Sequence, residues 1–142
     1  MIKKGLTPNQ IDLDESDYLY VGKSKLPNAG YGLFTAIVIY KDEIIALYKG
    51  EVLSQKETTK RASDNNNQFF IELLNGKILD CKNVAGFAKF ANDAKGNPSG
   101  HLSNNAKIAL TSKQEVCLIA KRKINIGEEI YCSYGKRYWN KA

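Results

Sequence analysis

Apolar and polar positions along this chain alternate in short bursts separated by turn residues, with only brief helical stretches between them. "DYLYVGKS" reads as a first strand, "YGLFTA" as a second, and "DEIIALYKGEVLS" as a longer or broken third. In "FFIELLNGKILD" two apolar runs flank Asn75-Gly76, the pair favoured in a type I′ hairpin turn. "SQKETTKRASDN" opens with Ser54 and Glu57 in capping-box spacing, which predicts a surface helix. "NVAGFAKFAND" suits a short buried helix, and "NAKIALTSKQEVCLIAKRKINIGEEIYCSY" returns to strands with "NIGEE" as a turn. "DNNNQ" and "NDAKGNPSGHLSNN" are polar loops, and no repeat is visible. The expected fold class is mainly β with small helices inserted.

Length and composition narrow this picture. The 142 residues suit one domain with a real core, and 43% hydrophobic with 25% charged residues is an ordinary globular balance. No apolar run approaches the ~20 residues of a membrane-spanning helix, and "MIKKGLTPNQ" lacks the apolar middle of a signal peptide. The expectation is a soluble protein of the cytoplasm or nucleus. Cys81, Cys117 and Cys132 include no CxxC pair, which points to free thiols and no structural metal. The net charge of +6 permits an anionic partner but is unevenly spread. Lys3 and Lys4 against Asp12, Asp14, Glu15 and Asp17 leave the first twenty residues at −2. Lys121, Arg122, Lys123, Lys136, Arg137 and Lys141 against Glu128 and Glu129 leave residues 121–142 at +4. The acidic stretch could meet a basic peptide, although four carboxylates beside a strand ordinarily form a solvated face.

Four motifs stand in a fixed order: "NAGYGLF", "LYKGE", "KFAND" and "GEEIYCSYG". Singly they are weak, since a GxG pair is ordinarily a turn, a buried asparagine ordinarily satisfies backbone groups, and a tyrosine ordinarily packs in the core. Together they resemble the SET domain family of protein lysine methyltransferases, over roughly residues 18 to 139. The resemblance implies a single SET domain of several short curved sheets, with its C-terminal segment tucked beneath a loop in a knot-like way. It also implies S-adenosyl-L-methionine as cofactor and a protein presenting a lysine as substrate. A histone tail is the family's commonest target.

The resemblance assigns roles residue by residue. Gly30-Tyr31-Gly32 is similar to the turn whose backbone approaches the cofactor, and Tyr48 in Tyr48-Lys49-Gly50 to the tyrosine of the lysine channel. Phe90-Ala91-Asn92 resembles the segment whose asparagine fixes the cofactor's amino-acid end. Gly127 to Gly135 places Tyr134 on the catalytic tyrosine, with Tyr138 and Trp139 near the adenine. Cys132, Ile108 and Asn105 fall at the substrate channel. Departures are equally specific: Lys89 stands for the usual Arg, Asp93-Ala94 for the usual His-Ser, and an insertion separates Asn92 from Asn105. The zinc-binding C-terminal cysteines of many relatives are absent, so no metal is expected.

These roles suit the chemistry. Methyl transfer needs a neutral amine, and a dry aromatic channel disfavours the ammonium, whose pKa in water is ~10.4. Tyrosine hydroxyls then orient the amine without a strong base. The single histidine, His101, sits in a polar loop and is read as a solvated residue. Two other functions fit parts of the sequence: a noncatalytic SET-like binding module, suggested by the lost His-Ser, and a small basic β-barrel binding nucleic acid, suggested by the charge and eight tyrosines. Retention of Tyr48, Asn92 and Tyr134 argues against the first. Lack of a K/R-G-F/Y-x-F signature argues against the second. Neither nucleic acid nor membrane is required by the leading reading.

Overall fold

A computed structural model describes residues 9–67, 70–72, 76–81, 86–94, 102–111 and 115–133. Asn75, His101, Tyr134, Gly135, Tyr138 and Trp139 lie outside the described residues. The described chain is mainly β, in three separate small sheets.

The first sheet joins β1 (Leu19–Lys23), β2 (Tyr31–Thr35) and β9 (Glu129–Ile130) in the order β1-β2-β9. Asp17 and Tyr18, expected within the first strand, instead close a four-residue helix, α1 (Glu15–Tyr18). The loop from β1 to β2 turns back through Asn28 and Gly30, both at positive φ, and Ser24 N–H donates to Gly30 O at 2.8 Å. Gly30, at φ +71, has open space where a Cβ would stand.

The expected third strand is broken. β3 (Ile44–Leu47) joins the second sheet, with β7 (Ala106–Leu110), β8 (Val116–Ala120) and β10 (Cys132–Ser133) in the order β10-β7-β8-β3, whereas β4 (Glu51–Leu53) joins the third, with β5 (Phe70–Glu72) and β6 (Ile78–Asp80) in the order β4-β6-β5. The chain changes sheets at Tyr48-Lys49-Gly50, where the backbone runs so close to β6 (Ile78–Asp80) that a Cβ on Gly50 would lie 2.5 Å from Asp80 O. β7 (Ala106–Leu110) and β8 (Val116–Ala120) form the antiparallel centre of the second sheet, and β10 (Cys132–Ser133) adds in parallel beside β7. Leu33, Ile39, Ile45, Leu118, Ile124 and Ile130 are completely buried in the core.

In the third sheet β5 (Phe70–Glu72) pairs with β6, confirming a hairpin. Asn75 of the expected Asn75-Gly76 turn lies outside the described residues; Gly76 itself is at φ +83, and Glu72 opposes Ile78. The predicted helix is α2 (Gln55–Ser63), and Ser54 caps it by accepting from Glu57 N–H at 3.1 Å. Among the described residues of "NVAGFAKFAND" there is a 3₁₀ turn, Ala88–Phe90, with Ala88 and Ala91 buried.

Candidate active site

The segment Glu129–Ser133 is held on several sides at once. β9 pairs with β2, Cys132 N–H donates to Asn92 O at 2.8 Å, and Cys132 lies opposite Ala106 of β7. Asn105 fastens the same stretch through one buried amide: Nδ2 donates to Glu129 O at 2.9 Å, and Oδ1 accepts from Tyr131 N–H at 2.8 Å. Asn105 is completely buried, so it positions the segment rather than presenting a free polar surface.

Asn92 reaches from this segment to the glycine turn. Its Nδ2 donates to Tyr31 O at 2.8 Å, and among the described residues its Oδ1 accepts no hydrogen bond. The acceptor beside the open backbone of Gly30 fits the ammonium of an amino-acid ligand. Tyr31, by contrast, exposes 69% of its surface. Gly32 is constrained from inside the protein, because an added Cβ would collide with Glu129 Oε2.

Glu129 is the residue that sequence reasoning missed. It is 1% exposed and takes hydrogen bonds from Ser24 Oγ at 2.6 Å, Lys25 N–H at 2.8 Å and Tyr131 Oη at 2.8 Å, and so joins its own segment to the one that follows β1. A buried carboxylate needs such donors. The local signal was a charged residue at an inward position of the apolar run "EEIYC", two residues from a tyrosine on the same strand face. Burial, the hydrogen bond to Glu129 and nearby acidic charge raise the Tyr131 hydroxyl above its ordinary pKa, so it remains a donor.

The expected channel residues meet on the other side of the segment. Tyr48, 7% exposed, places its hydroxyl 3.5 Å from Cys132 Sγ. Ile108 lies two positions beyond Ala106 on β7, on the sheet face shared with Cys132, and is half-buried against the core. Burial pushes the Cys132 thiol up to about 12, against the hydrogen bond with Tyr48, which lowers it. The thiol is therefore neutral at physiological pH. Phe90 packs partly buried against the core, with Lys89 Nζ 5.5 Å from its ring centroid. No group of three or more potential metal ligands occurs among the described residues, and no described helix is long and apolar enough to cross a membrane.

Comparison with known proteins agrees with this geometry. The SET domain family model matches residues 30–135. The chain is 30% identical over 125 residues to the histone-lysine N-methyltransferase EZ1 of Zea mays, covering 86% of this chain and 13% of that protein. It is 29% identical over 125 residues to an H3 lysine-36 specific histone-lysine N-methyltransferase of Candida glabrata, covering 84% and 17%. Among solved structures, Chaetomium thermophilum Polycomb Repressive Complex 2 bound to GSK126 superposes with a TM-score of 0.71 at 26% identity, covering 87% of this chain and 16% of that one. The ctPRC2 structure in an autoinhibited conformation bound to S-adenosylmethionine gives 0.66 at 28% identity, covering 83% and 15%. The chain thus spans less than a fifth of the length of these relatives. The glycine turn, Tyr48, Asn92 and the Glu129–Ser133 segment all fall inside the matched region, and this chain belongs to the SET domain family.

Proposed function

We propose that this chain is an S-adenosyl-L-methionine-dependent protein-lysine N-methyltransferase, with residues 1–142 as a single SET domain whose core spans about 18–139. The observation that carries the reading is the convergence of the Gly30 turn, Asn92 and the Tyr48–Cys132 pair on one clasped segment leading to Tyr134. Asn92 Oδ1 and the backbone around Gly30, Tyr31 and Gly32 would hold the cofactor's amino-acid end, with Phe90 supporting Asn92 from the adjoining turn. Tyr138 and Trp139 would cover its adenine. When bound, the cofactor supplies a methyl group on a sulfonium.

The rest belongs to the chain's own side chains. Tyr48, Ile108 and Cys132 form an apolar wall that disfavours a charged lysine, and Tyr48 and Tyr134 hydroxyls orient the neutral amine's lone pair. Asn105 keeps that wall in place. Neutrality of Cys132 matters here, because a thiolate beside a methyl donor would be a competing nucleophile. The substrate is a protein presenting a lysine, a histone tail among the candidates, met in the cytoplasm or nucleus without need of nucleic acid.

Calorimetric titration with S-adenosylmethionine should show one site per chain, and Tyr134→Phe should fold normally yet lose most transfer of label to a histone peptide. No binding at near-millimolar cofactor would overturn the cofactor site. Equal activity of variant and wild type would remove Tyr134 from the catalytic role.

A further inference from the structure

Where relatives carry the histidine of His-Ser, this chain carries Asp93, and its carboxylate is held in place. Asn104 Nδ2 donates to Asp93 Oδ1 at 3.0 Å, while Asn104 Oδ1 accepts from Ala94 N–H at 2.8 Å. One amide side chain thus fixes both the carboxylate and the backbone that follows it. The preceding residue is fixed as well, through Asn92 O to Cys132 N–H. Asp93 is half-buried, and its charge is felt at the Cys132 thiol, where it adds to the upward shift caused by burial. An oriented anion therefore sits one residue from Asn92 and within electrostatic reach of Cys132.

On the cofactor reading given above, Asn92 and Cys132 flank the two ends of the methyl-transfer path. S-adenosylmethionine carries a net charge of about +1, from its sulfonium, whereas its demethylated product S-adenosylhomocysteine is neutral overall. We propose that Asp93, oriented by Asn104, is a charge-selective positioning residue that makes the site prefer the cationic methyl donor over the neutral product. Asp93 thus acts mainly on cofactor affinity and release from product inhibition, and less on the chemical step. A single partly buried carboxylate acting across several ångströms is worth about 3- to 10-fold in the affinity ratio.

The test is calorimetric titration of wild type, Asp93→Asn and Asp93→Glu with each compound separately. Asparagine can still accept from Asn104, so that hydrogen bond is kept while the charge is removed. The dissociation constant for S-adenosylmethionine should rise about 3- to 10-fold in Asp93→Asn while that for S-adenosylhomocysteine stays within about twofold, and Asp93→Glu should recover most of the wild-type ratio. Equal weakening of both compounds, or of neither, would overturn the proposal while leaving the cofactor site standing. Failure of the wild type to bind either would bring down the cofactor reading and this proposal with it. Should Asp93→Asn fail to fold, ionic strength decides in the wild type. A local anion makes affinity for S-adenosylmethionine fall with salt relative to the product, whereas the chain's net +6 alone would make it rise. A flat or rising ratio would overturn the proposal.

Discussion

Gly32 and Gly30 are two residues apart and glycine for different reasons. At Gly32 a Cβ would meet Glu129, whose carboxylate is anchored by Ser24, Lys25 and Tyr131 and has no room to yield. Gly32→Ala should therefore destabilise the fold by about 1–3 kcal/mol, as overpacking does. Gly30→Ala meets no neighbour and costs only the left-handed backbone, about 1 kcal/mol. Urea unfolding of the two variants should rank them in that order, and equal midpoints would contradict the anchored carboxylate. Cys132 makes the other residue-scale prediction. In the family the corresponding position is often Phe or Tyr, whose hydroxyl can hold a water that limits product. On the proposed function, the small thiol facing Tyr48 should let the reaction proceed to di- or trimethyllysine, and Cys132→Tyr should shift it toward monomethyllysine. Mass spectrometry of a peptide under excess cofactor would refute this if the wild type stops after one methyl.

Among elements, α2 shows how a local signal is completed by distant partners. Ser54 caps the helix as its sequence foretells, but Glu57 pairs with Arg61 at 2.8 Å instead of closing a reciprocal box. Arg61 also reaches Asp80 of β6 at 2.8 Å and Glu51 of β4 at 3.4 Å, and so ties helix to sheet. Ser54→Ala should cost about 1 kcal/mol, the usual worth of a cap. Arg61→Ala should cost more, because it removes the ties to Glu57, Glu51 and the buried Asp80 side chain at once. Thermal melts that reverse this ranking would place the helix's stability in its cap rather than in its tie to the sheet.

At the scale of the whole molecule, Glu128 and Asn105 close the fold where β7 meets the Gly127 turn. Burial alone would raise the Glu128 carboxyl, but Asn125 N–H, the Asn105 amide and the Arg122 guanidinium outweigh it and hold it below its ordinary value. A depressed folded pKa gives stability that is fully present well above the ordinary value of 4.5 and is lost as pH falls through the lower folded one. The melting temperature should therefore decline on acidification from about pH 6 to about pH 3, and Glu128→Gln should flatten that decline. Parallel pH profiles for the two proteins would show that Glu128 carries none of it.

The sequence by itself determined what depends on neighbours in the chain: the strand and turn periods of β1, β2, β7 and β8, the Ser54 cap, and the order of glycine, tyrosine and asparagine motifs. Such features follow from side-chain spacing and backbone preference within a few residues. It could not show that Asp17 and Tyr18 close a helix or that residues 44–53 divide between two sheets, since strand pairing is set by the opposing strand. The site depends still more on distance. Ser24 meets Glu129 across 105 positions and Tyr48 meets Cys132 across 84. Glu129 resembles a surface charge until the fold surrounds it with donors, and Asp93 a simple loss of histidine until Asn104 is seen to orient it. Those pairings are decided by tertiary structure, because burying a carboxylate is tolerable only when packing brings its partners in from elsewhere in the chain.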